Sequence, residues 1–245
     1  MLRLLTLLAC CIALSGLSGQ DVRLIDSLTA DLAARAKGDP QRLHTLTDLW
    51  ISLVFSEPKK ALPYVRLLKR EALAMNNERK IIAADKYLAI NFDYLDQPDS
   101  SFHYNRKAMA AYERTGYGFS VSCFAFNVGL CCLDLGDLDS VVHYMKVATE
   151  RIPIKESSLV LRSSIASINA NVQRQQGELL ASIASAKEAY ELAEAGGAGD
   201  RMAEANDEIA KTYQELGDFE TAIGYLDENL VFYQSTHDPY WEAST

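Results

Sequence analysis

Apolar residues recur at steps of three and four along most of this chain, and short polar turns interrupt them at a nearly constant interval. Leu88, Phe92 and Leu95 form one such stripe, and Ile209, Tyr213 and Leu216 form another. That periodicity sets one face of an α-helix against a core. The interruptions are Ser56-Glu57-Pro58, Asp96-Gln97-Pro98, Gly136-Asp137-Leu138, Gly177-Glu178-Leu179 and Gly217-Asp218-Phe219. Their first residues lie 40, 40, 41 and 40 positions apart. A constant period of this size predicts stacked supersecondary units in place of one closed core.

Each period reads as helix, tight turn, helix. Gly136, Gly177 and Gly217 suit a helix C-terminus, where a left-handed residue closes the last turn. Pro58 and Pro98 suit the first turn of the following helix, which needs no N–H from them. Asp137, Glu178 and Asp218 place negative charge at the start of that helix, where its dipole favours it. Seven residues before each turn stand Leu49, Ala89, Gly129, Ala170 and Ala210, and twelve after it Leu68, Ala108, Ala148, Ala189 and Asn229. The alanines and glycine that fill most of these positions predict two helices crossing closely.

An additional helix, Asp21 to Ala36, precedes the repeats, with Val22, Leu24, Ile25, Leu28, Leu32 and Ala33 on one stripe. It suits an N-terminal cap, and Gly38-Asp39-Pro40 ends it. Five helix pairs then fall at roughly 41–75, 77–114, 117–151, 155–195 and 199–235. The loops between them are too short to be linkers between domains. The domains expected are a signal peptide (1–19), a capping helix (20–38) and one repeat domain (39–245).

Residues Ile209 to Ile223 resemble the tetratricopeptide repeat. Ala210, Tyr213, Gly217-Asp218-Phe219 and Ala222 stand at that family's spacing of small residue, tyrosine, Gly-Asp-aromatic and second alanine. Leu135-Gly136-Asp137-Leu138 matches less fully, because Val141 replaces the second alanine. The resemblance runs over roughly residues 40 to 235 and fades in the fourth repeat, where Asn169, Gln173 and Gln176 replace apolar residues. It implies an all-α, right-handed α-α superhelix of about five helix pairs plus the N-terminal helix, and a non-enzymatic protein- or peptide-binding role. Asp39-Pro40, Leu46 to Leu49 and Ser56 to Leu62 are also similar to the start of exported repeat regions common in Bacteroidota. Those regions often precede a membrane span and a signalling output, such as a histidine kinase or a transcriptional regulator. That resemblance implies the sensory or interaction region of a signal-transduction protein, with a free-standing periplasmic scaffold or assembly factor as the alternative.

Composition narrows the partners. Met1 to Gly19 has the form of an export signal: Arg3, an apolar run to Leu17, then small residues. The run is shorter than the ~20 residues of a spanning helix, and no other segment is apolar enough to span, so a periplasmic or cell-envelope product is expected. Cys10 stands in mid-run, where a lipoprotein processing site would not. Cleavage removes one of the 24 basic residues and none of the 33 acidic ones. Such acidity disfavours nucleic acid and anionic membrane surfaces as ligands. The chain also opens an undeveloped helix at Pro239-Tyr240-Trp241 without a polar terminal cap, so either continuation of the natural product past Thr245 or self-association at that end is expected.

Catalytic and metal-binding patterns are missing. His103 and His143 stand 40 apart at matching repeat positions, but no His or Cys nearby completes a zinc set. Asp134, Asp137 and Asp139 flank a helix-ending glycine and lack the alternation of a calcium loop. Gly196-Gly197-Ala198-Gly199 follows no strand and precedes no Gly-Lys-Ser. Cys123, Cys131 and Cys132 lie on one helix, and eight residues of helical rise put the outer two ~12 Å apart, beyond disulfide reach. No cofactor, metal or catalytic residue is expected.

A groove remains as the candidate site. In the family resembled, the first helix of each pair lines the concave side. Carried over, this implies Lys86, Ile90 and Asp93 in the second repeat, Phe126 and Leu130 in the third, Asn171 and Arg174 in the fourth, and Lys211 and Gln214 in the fifth. An apolar middle and a polar C-terminal half suit an extended peptide or an amphipathic helix. Residues 119–135 are apolar nearly all round, so burial of Phe126 and Leu130 by neighbouring helices is the competing expectation.

Overall fold

Every turn at the forty-residue interval ends one helix and begins another. The computed structural model describes residues 22–153, 155 and 158–236. The predicted export signal with Cys10, and the segment from His237 to Thr245, lie outside them. Eleven helices and no strand occur among the described residues. They are α1 (Val22–Ala34), α2 (Pro40–Val54), α3 (Pro58–Ala74), α4 (Glu78–Tyr94), α5 (Pro98–Thr115), α6 (Gly118–Asp134), α7 (Leu138–Arg151), α8 (Leu159–Gln175), α9 (Leu179–Ala195), α10 (Gly199–Leu216) and α11 (Phe219–Thr236).

One hydrogen-bond pattern closes most of these helices. At Gly217, whose φ is +81°, the Gly217 N–H donates to the Gln214 carbonyl and the Asp218 N–H to the Tyr213 carbonyl. The same pair of bonds recurs at Gly136 and Gly177. Such bonds satisfy carbonyls that a helix end leaves without partners. Asp96 performs the same turn at φ +53°, so the Asp96-Gln97-Pro98 turn combines a left-handed residue with a proline start. Aspartate tolerates this region better than a bulkier side chain. The first turn differs: Phe55 keeps right-handed geometry, and the Glu57 N–H bonds the Leu53 carbonyl.

Two compact units divide at Asp137 and Leu138. In the first, α1 to α6, Trp50 anchors the core. It is 1 % exposed and stacks on Tyr87 at 4.3 Å. Its Nε1–H donates to Asn91 Oδ1 at 3.1 Å, and Asn91 Nδ2 donates to the Pro58 carbonyl at 3.0 Å. Leu53, Val54, Val65, Leu88, Ile90 and Phe92 belong to the same cluster. Each leucine-sized side chain so buried contributes ~1.5–3 kcal/mol. The N-terminal helix docks differently from the broad apolar stripe read in the sequence. No residue of α1 is buried, and Val22 and Leu24 face solvent. Ile25 and Leu32, both partly buried, pack against the neighbouring clusters. Arg42 of α2 instead holds the end of α1, donating to the Leu32 and Arg35 carbonyls at 2.6 and 2.9 Å while forking onto Glu71.

In the second unit, α7 to α11, small residues bring helices close. Ala166, Ala189 and Ala205 pack together, as do Ala170, Ala186 and Ile209. The Ser163 hydroxyl reaches the Ala189 carbonyl across that gap at 2.7 Å. Asn229 replaces alanine in the last repeat, and its Nδ2 bonds the Ala203 carbonyl at 2.8 Å and Asp207 Oδ1 at 2.7 Å. A polar side chain is tolerated there because its donors are satisfied.

Candidate functional site

The second unit brings together three of the nine residues read as groove-lining. Asn171 and Arg174 lie one turn apart on α8, and Lys211 lies on α10. All three converge on Glu208 of α10, which is 4 % exposed. Lys211 Nζ donates to Glu208 Oε1 at 2.7 Å. Asn171 Nδ2 and Arg174 Nη2 approach Oε2 at 3.2 and 3.5 Å. Arg174 also donates from Nη1 to Glu215 Oε1 at 2.6 Å. Gln175 fixes Asn171 by donating to its Oδ1 at 2.7 Å. A buried carboxylate is costly unless its lone pairs are met, and these donors meet them.

The polar row continues along one side of α10, where Arg201, Glu204, Glu208, Lys211 and Glu215 follow at steps of three and four and Asp207 stands beside Glu208. Arg201 Nη1 donates to both Glu204 oxygens, at 2.7 and 2.6 Å. Burial raises the Glu204 carboxyl above the usual range, and Arg201 draws it partly back. Burial likewise raises Asp207, against the Lys211 charge and the Asn229 hydrogen bond. Burial works against the Arg174 charge, but the bond to Glu215 and the charges of Glu208 and Glu215 outweigh it and raise its pKa. Gln214 is exposed at the end of α10.

The five remaining candidates belong to the first unit. Lys86 is half-buried, its ammonium 4.9 Å from the centre of the Tyr87 ring. Asp93 and Leu130 are half-buried on α4 and α6. Ile90 is a member of the Trp50 cluster at 9 % exposure. Phe126 is 2 % exposed and so presents almost no surface to a ligand. The apolar circumference of α6 explains this, because a helix apolar on all sides has no face to give to solvent.

Sequence reading missed Glu208, Glu204 and Glu215. Their signal was present in the three-residue step from Glu208 to Lys211 and in the charged row on one face of α10. It looked like any solvated helix face.

Cys123, Cys131 and Cys132 are all buried. His103 and His143 each stand edge-on to the tyrosine that follows them. Among the described residues no group of three or more His, Cys, Asp or Glu is placed to hold a metal ion, and no helix is long and apolar enough to cross a membrane.

No family model and no curated protein matches the sequence. Solved structures do share the fold. BtubC (BKLC) from P. vanneervenii matches with a TM-score of 0.71 at 15 % identity, over 88 % of this chain and 91 % of that one. A signal transduction ATPase with numerous domains and a tetratricopeptide repeat sensor, from Pyrococcus horikoshii, gives 0.69 at 14 %, over 88 % of this chain and 33 % of that one. Aspartyl phosphate phosphatase F from Bacillus subtilis gives 0.65 at 13 %, over 84 % of this chain and 63 % of that one. This chain spans one third of the ATPase and under two thirds of the phosphatase. At these identities the likeness is one of fold. The chain has an all-α helical-repeat fold of the tetratricopeptide type.

Proposed function

We propose that this chain is a non-enzymatic module that binds a protein or peptide through the first-helix faces of its repeats. The carrying observation is the cluster at Glu208. Asn171, Arg174 and Lys211 come from two successive first helices and present fixed polar groups side by side, Asn171 and Arg174 facing a row on α10 that carries two bases and four acids. An array of fixed donors and acceptors suits the backbone and side chains of a peptide better than a small apolar ligand. In the same reading the chain is exported to the cell envelope and serves as the sensory or interaction region of a signal-transduction protein. The form of residues 1–19, the resemblance to exported Bacteroidota repeat regions, and the repeat sensor within the Pyrococcus ATPase support it. A free-standing envelope scaffold is the second reading. It is favoured by the 91 % coverage of BtubC, where a fold of this extent makes up nearly the whole chain.

The test is affinity capture from envelope extract with residues 20–245 as bait, repeated with Arg174→Glu combined with Lys211→Glu. The double variant is expected to lose the captured partner while keeping its helical circular-dichroism signal. Undiminished capture by a folded double variant rejects the assigned face. Recovery of the mature protein in the cytoplasmic fraction rejects the envelope location.

A further inference from the structure

The ninth residue after each turn start lies on the second helix of its pair, at Val65, Asn105, Met145, Ala186 and Leu226. Four of these are closed off, at 0, 3, 1 and 0 % exposure. Where its neighbours are clear, this position meets the next first helix along the chain. Val65 clusters with Leu88 of α4, Asn105 Nδ2 lies 4.0 Å from Cys131 Sγ of α6, and Ala186 clusters with Ile209 of α10. Leu226 is the exception at 39 % exposure. Phe219 and Ile223 beside it are 60 and 58 % exposed. With Leu230 they form a stripe at i, i+4, i+7 and i+11, confined to about 60° of the helix circumference.

The stripe has unequal edges. Along one edge Ala222, Asn229 and Tyr233 are buried within the unit. Along the other stand the exposed acids Glu220 and Asp227. Helix α11 contains no lysine or arginine. We propose that this face of α11 docks an amphipathic helix of another protein, whose leucine-like stripe covers Phe219, Ile223 and Leu226 and whose lysines or arginines meet Glu220 and Asp227. The charges favour a basic occupant. Residues 237–245 carry Asp238 and Glu242 and no lysine or arginine, so they do not complement that edge. A second copy pairing antiparallel would set Glu220 and Asp227 against the same acids of its partner, and like charges so placed repel. The surface is separate from the Glu208 cluster, so this inference and the proposed function fail independently.

The test uses the full chain and a synthetic helical probe of about 18 residues, long enough for the stripe to span several turns. Leucines stand at i, i+4, i+7 and i+11, with lysines along one edge, and a second probe has glutamates in their place. Fluorescence anisotropy is expected to show the lysine probe binding roughly tenfold more tightly or better, a ratio equal to ~1.4 kcal/mol. Ile223→Ser with Leu226→Ser should weaken it by a similar factor, and Glu220→Lys with Asp227→Lys should reverse the preference, each with helicity unchanged. Equal binding of the two probes, or indifference to both variants, overturns the proposal. Photo-crosslinking from a benzophenone side chain at position 226 closes the alternatives. A crosslinked dimer, or a crosslink to any residue of the same chain beyond Thr236, overturns it, because a second copy or the chain's own following segment then occupies the face. A crosslink to the lysine probe alone supports it.

Discussion

Asp207 shows how a single carboxyl couples the polar row to folding. Burial raises its pKa, while Lys211 and the Asn229 amide oppose that rise without cancelling it. A carboxyl raised in the folded state binds its proton more tightly there than in the unfolded chain. Its contribution to stability is therefore fully present below the unfolded value of ~4 and is lost as pH rises through the folded value. Asp207→Asn keeps a carbonyl oxygen for the Asn229 donor but carries no charge. Urea unfolding followed at two pH values is expected to give the variant and the parent equal stability near the unfolded pKa and a more stable variant at neutral pH. A variant less stable at neutral pH would show that the Lys211 charge, not burial, dominates. Arg174 and Lys211 were legible in the sequence because carrying over a repeat register needs only spacing. Glu208 was not, because its meaning depends on α8 and α10 lying side by side, which brings residues 34 and 37 positions apart onto one carboxylate.

At the scale of the helix, the turns were readable wherever a glycine stood. A left-handed residue is needed to return two N–H groups to the last carbonyls, and glycine has no Cβ to be strained there. Gly177 at φ +80° and Asp96 at φ +53° occupy the same position in this pattern, and both turns were read from spacing, yet only the glycine announces its left-handed conformation. Opposite responses are expected to substitution. Gly177→Ala should lower unfolding stability by about 1 kcal/mol, since an alanine in the left-handed region is strained. No atom lies within 4 Å of the added Cβ, so crowding adds nothing. Asp96→Gly relieves the same strain and should be neutral to stabilising by a few tenths of a kcal/mol, glycine's extra unfolded-state entropy offsetting part of the gain. Matched denaturant midpoints decide it, and a loss at Asp96→Gly as large as that at Gly177→Ala would mean the aspartate side chain itself holds the turn. The docking of α1 was less legible. Periodicity marked six apolar positions on that helix, whereas Arg42 on α2 secures it through carbonyls that no hydropathy pattern identifies.

A repeating chain settles its energetics neighbour by neighbour. Packing within each unit joins helices close in sequence, so stability is approximately a sum of repeat and nearest-neighbour contributions. The forty-residue period makes that organisation visible in the sequence alone, because it needs only the recurrence of turns and small residues. What the period leaves hidden is which polar positions are buried and paired, since that depends on the particular side chains of adjoining helices. The first unit offers a direct test through Trp50, which joins α2 to α4 by stacking on Tyr87 and bonding Asn91. Trp50→Ala removes that stack and leaves Asn91 Oδ1 without its indole donor, a loss of about 3–5 kcal/mol. If repeats act locally, amide exchange should accelerate across residues 40–94 and stay unchanged around Ile209 and Tyr233 in the second unit. Equal acceleration in α10 and α11 would show instead that the chain opens as one cooperative body. Binding at the Glu208 cluster would then depend on the integrity of every repeat, and a substitution as distant as Trp50→Ala would abolish capture. Local opening predicts that Trp50→Ala spares capture through Arg174 and Lys211, so exchange and capture measured on the same variant must agree.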